Sequence, residues 1–574
     1  MARRLTRPIS LSAAAICALS VVSSCSSSHD NSATGTSTSV GSGGTTAAAV
    51  TIGAVTVRPN PDSVLSFWLR FDTSRPAIVT LHTQGPDGER TAQPERTAAL
   101  QHNVPVVDLR AQSTYDAWVT VDNGANTTTS NKVKLTTGAL PRDFPPMTTK
   151  SDPTRMAPGV TLFTITSLVA PPPEPGVAPP LLGNLVAVDA TGHVVWYHRD
   201  PLPIGDARMI ANGDLLYEYN NMGAREIDIM GHLVHEWAGR LERGPLAKDE
   251  YGRTVAGTDA IPVDVDSMHH EVSELPNGDI LTISTELLTI GGFTKPACGE
   301  PVSTFTGHYT VITDMIVEFQ PGTGKVVQRW PLVNVLHPAT NPADGPICGP
   351  SGIPPSAYPL FLYPGRNALD WTHVNAVILD QTHNELLVSI RHLDTVMALR
   401  YHTDASGPAG QMIWRFGPRA TDFKMTGNGL WQYHQHAIEL EHDGTLQMFD
   451  NGNDRPGTKE LFSRAVRYKI VDTGPKSQWT ATQVWEFRPT IDGTPVYAFF
   501  VGDADTLPNG NVLIDSGGIT PAIKKVVAQI VEVVPASSGS GGDVVFDLRV
   551  SGPPAFVYRA ERLPSMYGAS ERDS

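Results

Sequence analysis

The chain has 574 residues, of which 40 % are hydrophobic and 18 % charged, with a formal net charge of -15. That length exceeds one ordinary domain and suits a large apolar core, while the acidic balance argues against nucleic acid as a partner, because phosphate binding needs clustered Lys and Arg. With 51 Gly, 47 Pro and few long helical periodicities, the composition points away from a helical protein and toward an all-β one built of short strands and turns.

Residues 1–25 read as an export signal. Arg3, Arg4 and Arg7 form a basic start, an apolar run extends from Ile9 to Val22, and Val22-Ser-Ser-Cys25 resembles a bacterial lipobox that would leave Cys25 as the lipidated residue. The apolar run is too short to favour a spanning helix. The Ser/Thr/Gly-rich residues 26–48 then serve as a flexible tether, and the expected location is the cell envelope, with membrane attachment through the N-terminal lipid. Export leaves Cys298 and Cys348 as the cysteines of the globular part, where an oxidising compartment favours a disulfide between them. A loop of that size would contribute about 4 kcal/mol in the chain-entropy view.

Residues 49–140 alternate apolar and polar positions in segments such as Ser66-Phe-Trp-Leu-Arg-Phe71 and Tyr115-Asp-Ala-Trp-Val-Thr-Val121, which predicts a small β-sandwich of fibronectin III or immunoglobulin-like kind. The Pro-rich stretch from Pro141 to Pro158 is its expected linker. From about residue 150 to 574 a repeat takes over: a turn, a short apolar run, then an aromatic. The copies close on Trp196, Trp237, Trp330, Trp414, Trp485 and Phe546. Each is preceded by another strand, and inner hairpins carry a second signature, as in Ile210-Ala-Asn-Gly-Asp-Leu-Leu216 and Leu507-Pro-Asn-Gly-Asn-Val-Leu513. The predicted fold is a six-bladed β-propeller, with one blade split between Val160–Ile165 and Ala555–Arg559 so that the ring closes.

Aligning the inner strands on the apolar residue before the turn gives polar ranks. Four positions upstream lie Asp206, Glu271, Asn375, His436 and Asp503; six upstream lie His269, His373 and His434. An offset of two puts both ranks on one strand face, so stacked polar rings are expected at one mouth of the central channel. Arg391 ends the second strand of the sheet that starts near His373 and is a candidate anion clamp. His270 and His392 should point away on an alternating strand. Two chemistries fit this set: nucleophilic transfer through a neutral imidazole, or a metal-dependent lyase or hydrolase using His269, His373 and His434. A non-catalytic propeller that binds a ligand in its channel is the third reading.

The stretches Asp370-Trp-Thr-His-Val-Asn375, Ser389-Ile-Arg-His392, Gln435-His436-Ala437 and His269-His270-Glu271 resemble those of the bacterial arylsulfate sulfotransferase family, over about Gly159 to Tyr567. The resemblance implies a propeller enzyme with a small β-sandwich and no metal or nucleotide cofactor, acting on phenolic sulfate donors and phenol acceptors. By motif it implies that His436 takes the sulfuryl group as a sulfohistidine in a ping-pong transfer. His269, His373, Asn375 and Arg391 would hold the sulfate oxygens and move the proton, Asn375 as a substrate-binding residue; His434, a departure that adds a ranked histidine beside His436, is a further candidate substrate contact.

Overall fold

The six aromatics that mark the repeat are all buried, and four of them tie one sheet to the next. In the computed structural model, the indole N–H of Trp196 donates to the carbonyl of Ile229 (2.7 Å), Trp237 to Pro321 (2.7 Å), Trp330 to Tyr401 (3.1 Å) and Trp485 to Gly541 (3.0 Å). Each indole sits on the fourth strand of its sheet and reaches a strand end or turn of the sheet that follows. A buried indole needs an acceptor for its one donor, and for these four that acceptor is a neighbour's backbone. The structure describes residues 50–122, 126–168, 182–239, 257, 259–296, 301–345, 363, 368–441 and 443–568. Cys25, Cys298 and Cys348, and with them the lipid anchor and the disulfide, lie outside the described residues.

Residues Ala49 to Ser574 form one compact unit. Within it, two antiparallel sheets come first. Thr56–Pro59, Phe67–Ala77 and Ala99–Val106 make one; Gly88–Ala92, Thr80–Gly85 and Thr114–Asp122 make the other, extended by Thr127–Thr129 and Val133–Thr136. Leu69, Phe71, Leu81, Val104 and Val119 share one buried cluster, the inward half of the alternation seen in the sequence. Trp68 and Val107 belong instead to a cluster with Trp196 and Met230, so these sheets pack on the repeat.

Six antiparallel sheets of the repeat follow in chain order. Their first-to-fourth strands run from Ile204–Met209 to Leu233–Gly239, from His269–Glu274 to Val326–Pro331, from Val374–Asp380 to Met412–Phe416, from His436–Leu440 to Thr480–Phe487 and from Asp503–Thr506 to Gly542–Ser551. The remaining sheet has Val160–Ser167, Gly183–Val188 and Val194–Asp200 from one end of the repeat and takes its inner strand from the other. Ala560–Leu563 pairs with Val160–Phe163, and Ala555–Phe556 with Thr166–Ser167. The closing pairing was expected from Ala555–Arg559; most of it falls a few residues later, because Tyr558 and Arg559 are drawn inward to other partners. Neighbouring first strands touch in order around the ring. The expected linker is also partly structured: Met147–Ser151 adds a fifth strand to the outer edge of the last sheet, beside Phe546–Val550.

Inner strands are pinned to their neighbours by acids. Val272 N–H donates to Asp206 Oδ2 (3.0 Å), Val374 N–H to Asp314 Oδ2 (2.7 Å) and His434 N–H to Asp394 Oδ1 (2.7 Å). These contacts fix where each first strand begins, and the strand beginnings surround the cavity described next.

Candidate active site

A cavity of about 550 Å³ opens where the first strands begin, and five histidines line it: His270, His373, His392, His434 and His436. Seven of its lining residues have positive φ although they are not glycine: Asn220, Asn221, His270, His373, His434, Asp454 and Val501. Only fifteen non-glycine residues among those described have positive φ, so nearly half of that strain is gathered in one place. Left-handed backbone costs free energy at non-glycine residues and most of all at a β-branched one such as Val501, whose φ is 50°.

The strain accompanies β-bulges that change which side chain faces inward. Pairing of the first and second strands slips between His269 and Val272, between Val374 and Ala376, and between His436 and Ile438. Each slip reverses the alternation on which the two-rank alignment depended. As a result His270 lines the cavity, while His269 is fully buried behind it, its Nδ1 2.8 Å from His270 Nδ1 and its Nε2 3.2 Å from Asp314 Oδ1. His392 also faces the cavity, because the strand Glu385–Ile390 passes directly into a 3-10 turn at Arg391–Leu393, which carries Arg391 and His392 inward together. Asn375 is buried below the cavity wall, with its Nδ2 donating to the Gln435 carbonyl at 2.7 Å. Of the site residues expected from sequence, His373, Arg391, His434 and His436 meet at the wall, and His269 and Asn375 support it from behind.

His436 has the best-defined ring. Asn451 Nδ2 donates to the carbonyls of Ala498 (2.7 Å) and Val501 (2.8 Å), which fixes the amide so that its Oδ1 faces His436 Nδ1 at 2.7 Å. An amide oxygen can only accept, so Nδ1 carries the proton and Nε2 keeps its lone pair. That nitrogen receives a long contact, 3.3 Å, from the Val501 N–H. Burial first, and then the charge of Arg391, hold the His436 ring well below the ordinary histidine pKa. It is therefore neutral at neutral pH.

His373 is arranged differently, with a carboxylate behind it. Its Nδ1 lies 2.6 Å from Asp370 Oδ2, while the Asp370 carbonyl lies 2.8 Å from His392 Nδ1. Burial pushes the Asp370 carboxyl up to about 6. His373 and His392 are both held well below the ordinary value, chiefly by burial, with Arg391 adding to the effect on each. His270 is lowered too, by burial and then by His373, whose ring centroid is 5.0 Å away. Arg391 donates through one terminal nitrogen to the Phe499 carbonyl (2.8 Å), and its Nε has no protein partner. Burial lowers the guanidinium to about 10, so it stays charged at neutral pH. One fixed cation, several neutral imidazoles and a lone pair held in register suit an anionic electrophile.

Beneath the wall the same strands build an ion network. Arg559 contacts Asp206 (3.0 Å) and Glu271 (2.8 Å), and Arg208 contacts Asp206 (2.8 Å) and also Glu271. Tyr558 lies beside this network and lines the cavity, its ring 5.8 Å from His270. Phe499, Phe500 and Phe556 form an apolar side of the same space.

Metal-ligating geometry among the described residues occurs at Asp370, His373 and His392, whose donor atoms lie within 4.8 Å of one another. The set anticipated from sequence, His269 with His373 and His434, is not such a group. Sequence reading also missed Asn451, Asp370 as a partner, and the Phe499–Val501 loop. The position that singled out Arg391, the end of each second strand, would have pointed to Glu218 and Asn451 had it been read across all sheets.

An all-β ring of antiparallel sheets whose axial cavity gathers buried neutral histidines around one arginine defines the class as a propeller-like protein with an anion-receptive site. The family model described as Arylsulfotransferase (ASST) matches residues 149–559, and the chain belongs to that family. It is 27 % identical over 265 residues to an arylsulfate sulfotransferase AssT of Escherichia coli O6:H1, covering 38 % of this chain and 40 % of the relative. With an AssT of Lelliottia amnigena the identity is 24 % over 226 residues, covering 31 % and 35 %. The chain thus spans less than half the length of these curated relatives. Among solved structures, BamB from Moraxella catarrhalis superposes over 89 % of this chain and 94 % of its own, at 10 % identity and a TM-score of 0.25.

Proposed function

We propose that the protein is an arylsulfate sulfotransferase that moves a sulfuryl group from a phenolic sulfate ester to a phenol through a sulfohistidine on His436. The observation that carries this reading is the Asn451 amide, which commits Nδ1 of His436 to donate and leaves Nε2 as a neutral nucleophile beside Arg391. In the first half-reaction the Nε2 lone pair attacks sulfur, the N–S bond forms, and the S–O bond to the aryl group breaks with its electron pair on the departing phenolate. A histidine of the wall protonates that oxygen, and His373, backed by Asp370, is best placed to do so. His270, His373, His392 and His436 are held neutral by burial, and the negative charge of the entering ester favours protonation of one of them. In the second half-reaction an acceptor phenol loses its proton to that histidine and attacks sulfur, returning the electron pair to Nε2. Arg391 faces the nonbridging oxygens throughout. We read the six sheets as six blades of one propeller over 150–574, the preceding sheets as a β-sandwich over 49–140, and the leader as an export and lipid-anchoring signal.

Incubation with 4-nitrophenyl sulfate should release nitrophenol faster when phenol is added, without added metal or nucleotide. No phenol stimulation across a panel of aryl donors would sink the proposal. A second reading rests on the Asp370, His373 and His392 group, which has the spacing of a divalent-metal site. Metal analysis of the purified protein, with activity before and after chelation, separates the two: the sulfohistidine route keeps its rate in chelator.

A further inference from the structure

Besides the histidines, the cavity is lined by Glu218 with Gly205, Asn220 and Asn221. Glu218 lies on Leu215–Tyr219, a strand buried along its whole length, and is itself only 3 % exposed. One carboxyl oxygen accepts the backbone N–H of Asn221. The other sits against Gly205, where a Cβ would fall 1.9 Å from Oε2, so the absence of a side chain at 205 makes room for this carboxyl. No cationic side chain forms an ion pair with Glu218 among the described residues; Arg208 and Arg559 are bound to Asp206 and Glu271 instead. A carboxyl buried without a cation costs free energy that packing alone does not recover. A cavity of about 550 Å³ is also in the range of sites for ligands larger than one phenyl ring.

We propose that Glu218 determines acceptor specificity by binding the amino group of a phenolic amine, whose phenol oxygen meanwhile reaches the sulfuryl group at the histidine wall. This inference rests on the sulfuryl-transfer reading of the same cavity. An ammonium supplies the missing counter-charge and forms charge-assisted hydrogen bonds to the carboxylate. Burial, with Asp206 adding to it, holds the Glu218 carboxyl well above the ordinary glutamate pKa, and an ammonium beside it favours the ionised form. The other titratable groups near it are Asp206, Tyr558 and the two arginines that neutralise the acids. Binding of an ammonium should therefore expel the carboxyl proton to solvent, whereas binding of a hydroxyl should not.

The test compares 4-(2-aminoethyl)phenol with its isostere 4-(2-hydroxyethyl)phenol, by equilibrium calorimetry in buffers of different ionisation enthalpy and by acceptor kcat/KM with 4-nitrophenyl sulfate. The native protein should bind the amine at least about tenfold more tightly and release more protons on binding the amine than on binding the hydroxyl compound. In Glu218→Gln the preference should fall below about threefold and the proton release should vanish. Gly205→Ala, which pushes the carboxyl aside without removing it, should lower the preference in the same direction and guards against a folding failure of the first variant. Equal affinities, a preference for the hydroxyl compound, or an amine preference that survives both substitutions would overturn the inference. Because binding and proton release are read without turnover, they stand or fall separately from sulfuryl transfer: amine selectivity with no transfer would remove the reaction, and transfer with no selectivity would remove only the role of Glu218.

Discussion

The starts of the inner strands build two buried polar regions a few ångströms apart, and they solve the same problem in opposite ways. In the network of Asp206, Glu271, Arg208 and Arg559 every charge has an opposite charge within hydrogen-bond distance. At the wall formed by His270, His373, His392 and His436 the charge is removed instead: burial holds all four rings well below their ordinary pKa, around a single fixed cation. The first arrangement is complete without a ligand. The second is complete only when an anion is present to meet Arg391 and a proton, which is what a site for a charged electrophile requires. The repeat thus supplies polar residues at equivalent positions, and the sign and number of neighbours decide whether a position is structural or chemical.

Substitutions that act on one region and not the other sharpen this contrast. The largest effect expected is from His436→Ala, which should lower phenol-stimulated turnover by about four orders of magnitude or more, since no neighbour substitutes for a covalent intermediate; the mass of the intact protein after a single turnover should gain a sulfuryl adduct in the native chain and none in the variant. Arg559→Met should instead cost about 3–5 kcal/mol of stability, because it leaves two buried carboxylates short of a counter-charge. Urea denaturation measures it. If that variant were as stable as the native protein, the ion network would not be the structural half of the pair. Asp370→Asn should reduce turnover by about 10²-fold while leaving the unfolding midpoint nearly unchanged, as expected for a group that orients His373 and moves no bond itself. The smallest effect concerns pH. A histidine with an ordinary pKa of about 6.5 would lose half its nucleophilic form at that pH. Since the His436 value is depressed, its loss to protonation begins lower, and single-turnover transfer from 4-nitrophenyl sulfate should change less than about twofold between pH 7.5 and 5.5. A tenfold fall over that interval would place His436 in the ordinary range.

Much of the architecture could be read from the chain because its signals are periodic. Trp196, Trp237, Trp330 and Trp485 recur for one physical reason, the need of each sheet to grip the next, and that need writes itself into sequence. His373, Arg391 and His436 were legible from the same register. His269 and His270 were exchanged because alternation assumes a regular strand, and nothing in the local sequence announces a bulge at a histidine with φ of 64°. The inward turn of His392 depends on a single 3-10 turn after Ile390. Asn451 and Glu218 come from the ends of second strands, whose polar residues look like ordinary turn chemistry until the fold sets Asn451 against His436 and Glu218 into the cavity lining. Bulged sites of this kind are set by contacts between sheets, and those lie far apart in the chain.

The inner strand of the first sheet of the repeat comes from the far end of the repeat. Val160–Phe163 waits for Ala560–Leu563, and Tyr558 and Arg559 arrive with it. Until that pairing forms, the chain has sheets but no circle, and the cavity lacks Tyr558 and the arginine that anchors its floor. Enclosure of the cavity is therefore a property of the whole ring: sheets that form locally along the chain do not by themselves make a pocket.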